Sequence, residues 1–289
     1  MAETPGTVKR WVLAARPRTL PAALVPVAIG AALVRPAPIN WLNTLLCVAV
    51  ALALQIATNF ANDYSDGVRG TDDVRVGPFR LTASRLVAAS SVKRAAFAAF
   101  GVGGVAGLVL ASRTSWWFVA VGATAIAAGW LYTGGPKPYG YMGLGEVFVM
   151  AYFGFVATVG TAFAQHGHLV AKSWWWGLAA GSMACALLEA NNIRDIAGDQ
   201  ASGKKTLAAR LGRRRASYLY GLFAALTVLG AVAGGAWLVG IVAVVAYLAP
   251  LRIAFSPREG RELLVLLKMS ARTQLLVGAA AVTFLIVWH

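Results

Sequence analysis

Apolar runs close to 20 residues long recur from one end of this chain to the other, and they constrain its fold more than any other feature. A helix of about that length crosses a bilayer, and a chain in lipid must satisfy its own backbone hydrogen bonds. The runs cover residues 19–35, 40–62, 94–112, 115–133, 145–164, 173–191, 215–233, 235–254 and 271–288. They predict an all-α polytopic membrane protein, with nine transmembrane helices in a bundle and a single domain over residues 1–289. With 58% of residues hydrophobic and 13% charged, the chain has too little polar sequence for an ordinary soluble surface. Gly234-Gly235 leaves room for only a tight turn between the seventh and eighth runs. No small-residue cleavage site follows a short apolar core at the N-terminus, so no removed signal peptide is expected.

The net charge of +15 does not point to nucleic acid, because its distribution follows the membrane. If the runs alternate across the bilayer, all but Arg35, Arg113 and Lys172 of the 26 Lys and Arg fall on one side. The positive-inside rule makes that side, and the N-terminus, cytoplasmic. Every acidic residue lies on it too. The membrane would be the cell (inner or plasma) membrane. Cys47 and Cys185 sit inside apolar runs without metal-binding spacing and read as packing residues. Trp174-Trp175-Trp176 reads as an interfacial belt. Arg213-Arg214-Arg215 reads as a lipid-headgroup anchor, and His166 and His168 as a solvated pair.

The acidic residues concentrate in two stretches. Residues 59–72 include Asn62, Asp63, Asp66, Arg69 and Asp72; residues 189–199 include Glu189, Asn191, Asn192, Arg194, Asp195 and Asp199. Each stretch ends an apolar run, where a carboxylate is costly. Asn62 and Asp66 share a helix face, as do Asn191, Asp195 and Asp199. The stretches lie four runs apart, on the same side, and each precedes a basic loop, which suggests a diverged internal duplication around a shared site. Carboxylates beside amide oxygens suit a hard divalent cation, and Mg²⁺ enters such sites together with substrate phosphates. Asn62, Asp66 and Asp72 would hold metal on one side, with Asp195 and Asp199 on the other. Arg69, Arg194 and Lys205 would meet the remaining charge of a diphosphate, whose owner in a membrane is a lipid. Asp63 and Asp73 fall off these faces and read as solvated. Tyr132, at a helix end, reads on its own as an interfacial residue.

These motifs resemble the UbiA-type intramembrane prenyltransferases. The resemblance rests on Asn62-Asp-Tyr-Ser-Asp66 with Asp72, and on Asn192-Ile-Arg194-Asp195-Ile-Ala-Gly-Asp199 followed by Gly-Lys-Lys-Thr-Leu-Ala. It implies a nine-helix membrane fold that uses Mg²⁺ and a polyprenyl diphosphate lipid. Ala15-Arg16-Pro17-Arg18-Thr19-Leu20-Pro21, Tyr132-Thr-Gly-Gly-Pro-Lys137-Pro and Gly143-Leu-Gly-Glu146 look most like the branch that prenylates 1,4-dihydroxy-2-naphthoate in menaquinone biosynthesis. The resemblance then implies diphosphate contacts from Arg69, Lys137 and Arg194, and stabilisation of an allylic cation by Tyr132. It makes Asn192 and Arg16 candidates for positioning the acceptor. Asp66 and Asp195 would be essential to transfer. Another acceptor, such as 4-hydroxybenzoate, homogentisate or haem, remains an alternative. So does a secondary transporter, although acids at run ends on one face and a same-sense repeat fit it poorly. Asp66-Gly67 is similar to the opening of a CDP-alcohol phosphatidyltransferase motif, but the residues that should follow are missing.

Overall fold

The computed structural model describes residues 6–71 and 80–288; Asp72 and Asp73 lie outside them. Those residues form helices joined by short 3₁₀ turns and loops. The helices are α1 Thr7–Ala14, α2 Pro21–Ala32, α3 Trp41–Val68, α4 Ala89–Arg113 and α5 Trp117–Leu131. They continue with α6 Gly145–His166, α7 Ala171–Ala201, α8 Leu207–Ala233, α9 Trp237–Ala254 and α10 Leu264–Val287. Each of the nine predicted runs coincides with one of α2–α10. By length and hydropathy alone, six helices qualify as spans, and α1 with α2, bent by 52° at Leu20, makes up to seven. The 15-residue α5 is too short for that criterion. α7 carries Trp, Ser, Glu and Asn but turns much of its surface, including Ser173, Ser182 and Glu189, into protein rather than lipid. Hydropathy detects lipid-facing helices, so a polar helix in the middle of the bundle escapes it. The chain is a multi-pass membrane protein.

Local chemistry sets the helix ends. Asn40 caps α3 by accepting from the Asn43 amide at 3.1 Å, satisfying one of the donors a helix leaves open. Thr206 does the same for α8 through Ala209 at 3.3 Å. Gly235, at φ +93°, makes the tight turn between α8 and α9, as the sequence predicts. Gly212, at φ +75°, breaks α8 near its start. Close packing relies on small residues, as between helices in lipid. A Cβ on Gly154 of α6 would stand 2.7 Å from the Gly177 carbonyl and 2.8 Å from Gly181 Cα, so α6 and α7 can touch there only as glycines.

The core adds two corrections. Trp174 and Trp175 are about half exposed, but Trp176 is 1% exposed and packs with Ile29, Met183, Val239 and Leu285. It is a core residue rather than part of a belt, because a 100° step per residue carries it to the opposite face. Asp63 is not solvated either: it is 1% exposed, and its carboxylate accepts from the Leu81 and Thr82 amides, each at 2.8 Å. It thereby ties the segment after residue 80 back onto α3. Arg213 is partly a tie as well, donating to Ser217 Oγ at 2.6 Å and to the Ser256 carbonyl at 3.2 Å, while Arg214 and Arg215 are exposed.

Candidate functional site

α3 stays helical to Val68 and α7 to Ala201, so Asn62 and Asp66 project from the last turns of one helix, and Asn191, Asn192, Asp195 and Asp199 from those of the other. All six line a single cavity of about 480 Å³. Arg16, Arg80, Tyr132, Tyr141 and Lys204 join them at this polar end. Beyond it the lining turns apolar: Leu54 of α3, Gly103 and Leu108 of α4, Ile126 of α5, and Phe153 and Val156 of α6. An aromatic row connects the two ends. The Tyr132 and Tyr139 rings lie 5.4 Å apart, Tyr139 stacks on Phe148 at 3.9 Å, and Phe148 on Tyr152 at 6.3 Å. Gly140 permits that arrangement, since a Cβ there would meet the Tyr132 carbonyl at 2.6 Å and its ring at 2.7 Å.

Asp66 is the hub. It is 2% exposed; Oδ1 accepts from the Tyr141 hydroxyl at 2.7 Å and Oδ2 from the Lys204 ammonium at 2.8 Å. The Arg80 guanidinium stands 3.6 Å from Oδ2. Lys204 also lies over the Tyr141 ring, 4.7 Å from its centroid. Burial and the Asp66 charge push the Tyr141 phenol above its usual range, so it stays protonated and donates. Asn62 accepts from Thr133 Oγ1 at 2.8 Å. On the facing helix, the Arg194 guanidinium grips the Asp195 carboxylate at 2.7 and 2.6 Å. Asp199 Oδ2 accepts from the Thr206 hydroxyl at 3.0 Å, so the cap of α8 also orients a cavity carboxylate.

Four basic residues expected at the diphosphate do not line the cavity. Arg194 is 4% exposed and turned onto Asp195. Arg69 is exposed and donates to the Thr133 and Gly135 carbonyls, tying the end of α3 to the 132–141 loop. Lys137 and Lys205 are exposed outside the lining. In their place the structure presents Lys204 and Arg80, both within the basic loops but not distinguishable from their neighbours by spacing. Arg16 does line the cavity, from a left-handed backbone position at φ +54° between α1 and α2.

The donor set suits a hard cation, since the side chains facing the cavity at this end offer oxygen and no sulfur or imidazole. Among the described residues no three acidic, His or Cys side chains converge on one point. Metal here would therefore take few protein ligands and fill its shell from water and substrate, as Mg²⁺ does. The Lys204 ammonium on Asp66 marks where positive charge is favoured.

Fold and site together define a helical membrane protein with a cavity that is charged at one end, where carboxylates meet Lys and Arg, and apolar beyond it. Residues 23–287 match the UbiA prenyltransferase family, and the chain belongs to that family. It is 48% identical over 284 residues to the 1,4-dihydroxy-2-naphthoate octaprenyltransferase of Mycobacterium tuberculosis, across 94% of this chain and 95% of that one. It is 32% identical to the Bacillus subtilis protein of the same name, over 80% and 73% of the two chains. In fold it is similar to a UbiA homologue from Archaeoglobus fulgidus solved with GPP and Mg²⁺, at a TM-score of 0.67, 14% identity and 95% and 99% coverage.

Proposed function

We propose that this chain transfers a polyprenyl group from polyprenyl diphosphate to 1,4-dihydroxy-2-naphthoate, releasing pyrophosphate and CO₂ and forming the prenylated hydroquinone, demethylmenaquinol. The observation that carries this reading is the single cavity joining a charged, oxygen-lined end to an apolar passage. The 48% identity to a naphthoate octaprenyltransferase supports the acceptor.

In this reading Asn62, Asp66, Asp195 and Asp199 hold Mg²⁺, and Asp72 is a further ligand. Bound Mg²⁺ supplies positive charge to the departing diphosphate, easing cleavage of its C–O bond. Lys204 and Arg80 bind the diphosphate oxygens, and Arg194 keeps the Asp195 carboxylate turned to its task. Tyr132, with Tyr139 behind it, offers aromatic faces to the allylic cation and keeps water from its carbon. The naphthoate ring attacks that carbon, with Arg16 placed to receive the carboxylate that leaves as CO₂. The chain acts as one domain whose two acidic helices are the counterparts of a duplication. It crosses the bacterial plasma membrane nine times, with its N-terminus and the polar end of the cavity on the cytoplasmic side, and its bulk in contact with membrane lipids.

The test is a membrane assay with Mg²⁺, a polyprenyl diphosphate and 1,4-dihydroxy-2-naphthoate, run beside 4-hydroxybenzoate and an EDTA control. Metal-dependent prenylation of the naphthoate with CO₂ release is expected. Turnover of the benzoate alone would move the acceptor, and no product with either would remove the reading. Asp195→Ala should lower turnover per folded molecule by about 10³; near-normal turnover would refute the two-sided metal site.

A further inference from the structure

Asn192 projects from α7 on the cavity side, one turn before Asp195. An asparagine can present either its carbonyl oxygen or its NH₂ group, and here a second residue decides which. Asn192 Nδ2 donates to Glu146 Oε1 at 2.8 Å. Glu146 stands in the first turn of α6, is 5% exposed, and is not among the lining residues. Glu146 Oε1 is the acceptor of this bond, so it draws the NH₂ group outward to itself and leaves Asn192 Oδ1 for the cavity. Glu189, wholly buried one turn earlier on α7, lies beside Glu146. A buried carboxyl pair has a structural cost, and nothing in the transfer chemistry above uses it.

We propose that Glu146 is a positioning residue that fixes the polarity of Asn192. The Asn192 amide then faces the bound substrates with an oxygen and never with an NH₂ group. What it receives is an electropositive partner, either the hydroxyl hydrogen of the aromatic acceptor or a divalent cation. This rests on the prenyl-transfer reading but asks a separate question: why an acidic residue outside the cavity is buried at its wall.

The experiment compares the full-length wild type with Glu146→Gln, Asn192→Ala and the double variant, in steady state at varied naphthoate and varied Mg²⁺. Glutamine keeps the shape of Glu146 but lets the Asn192 amide turn over. Glu146→Gln should raise either the naphthoate KM or the half-saturating Mg²⁺ about tenfold, the worth of one hydrogen bond, with kcat changed less than about threefold. Asn192→Ala should raise the same parameter, and Glu146→Gln should then add nothing. A naphthoate shift assigns Oδ1 to the acceptor hydroxyl, and a Mg²⁺ shift assigns it to the cation. The rise in melting temperature caused by the same ligand should shrink in parallel. An effect on kcat alone, or an equal cost in the Asn192→Ala background, would overturn the proposal while leaving prenyl transfer intact. A wild type without turnover would refute the transfer reading instead. If Glu146→Gln does not fold, Asn192→Leu should lose the ligand-induced rise in melting temperature; an undiminished rise would overturn the proposal.

Discussion

Lys204→Met tests the hub of the site. Its ammonium lies 2.8 Å from Asp66 Oδ2, with the two side chains 11% and 2% exposed. At an effective dielectric near 20, unit charges at that distance attract by about 6 kcal/mol, most of which desolvation offsets. Removing one partner of a buried pair typically costs about 3–5 kcal/mol. Here Tyr141 at 2.7 Å and Arg80 at 3.6 Å remain on Asp66, which brings the expected loss down to about 2 kcal/mol. In EDTA the purified variant should therefore melt about 4–6 °C below wild type. With Mg²⁺ and prenyl diphosphate present, the gap should narrow, because Asp66 regains a cation from solution. The kcat/KM should fall about tenfold to a hundredfold, through loss of a diphosphate contact. Unchanged melting in EDTA, or a gap that Mg²⁺ and diphosphate leave undiminished, would refute the idea that Lys204 stands in for the metal.

Two further outcomes follow from buried groups. Asp63→Asn should lower stability by about 2 kcal/mol, measured by thermal melting, because the Leu81 and Thr82 amides would share one weaker acceptor; its kcat/KM per folded molecule should stay near wild type. Trp176→Ala should cost about 3–5 kcal/mol while Trp175→Ala costs under about 1 kcal/mol, and equal melting temperatures for the two would contradict the burial difference.

Much of this was legible in the residues. The apolar runs mark where α2–α10 lie because a bilayer demands length and apolarity together. Acidic residues at run ends mark the site because lipid penalises charge. Asn62 and Asp66 fall on one face of α3, and Asn191, Asp195 and Asp199 on one face of α7, by helical spacing alone. The roles of the basic residues were less legible. Lys204 and Lys205 are adjacent and chemically identical, yet one reaches Asp66 while the other is exposed. Arg194 looks like a phosphate ligand in the motif but closes on its own neighbour.

By itself, then, the sequence determined that this protein is helical, lies in a membrane and gathers its acids at two helix ends, since those follow from period and transfer free energy along one chain. The tertiary structure alone decided that the two ends face one cavity, that Asp63 and Trp176 are buried, and that Glu146 reaches Asn192 from another helix. Those outcomes depend on which surfaces of distant segments meet, and a long side chain on a loop can satisfy its charge in several directions until the packing of the bundle leaves it one.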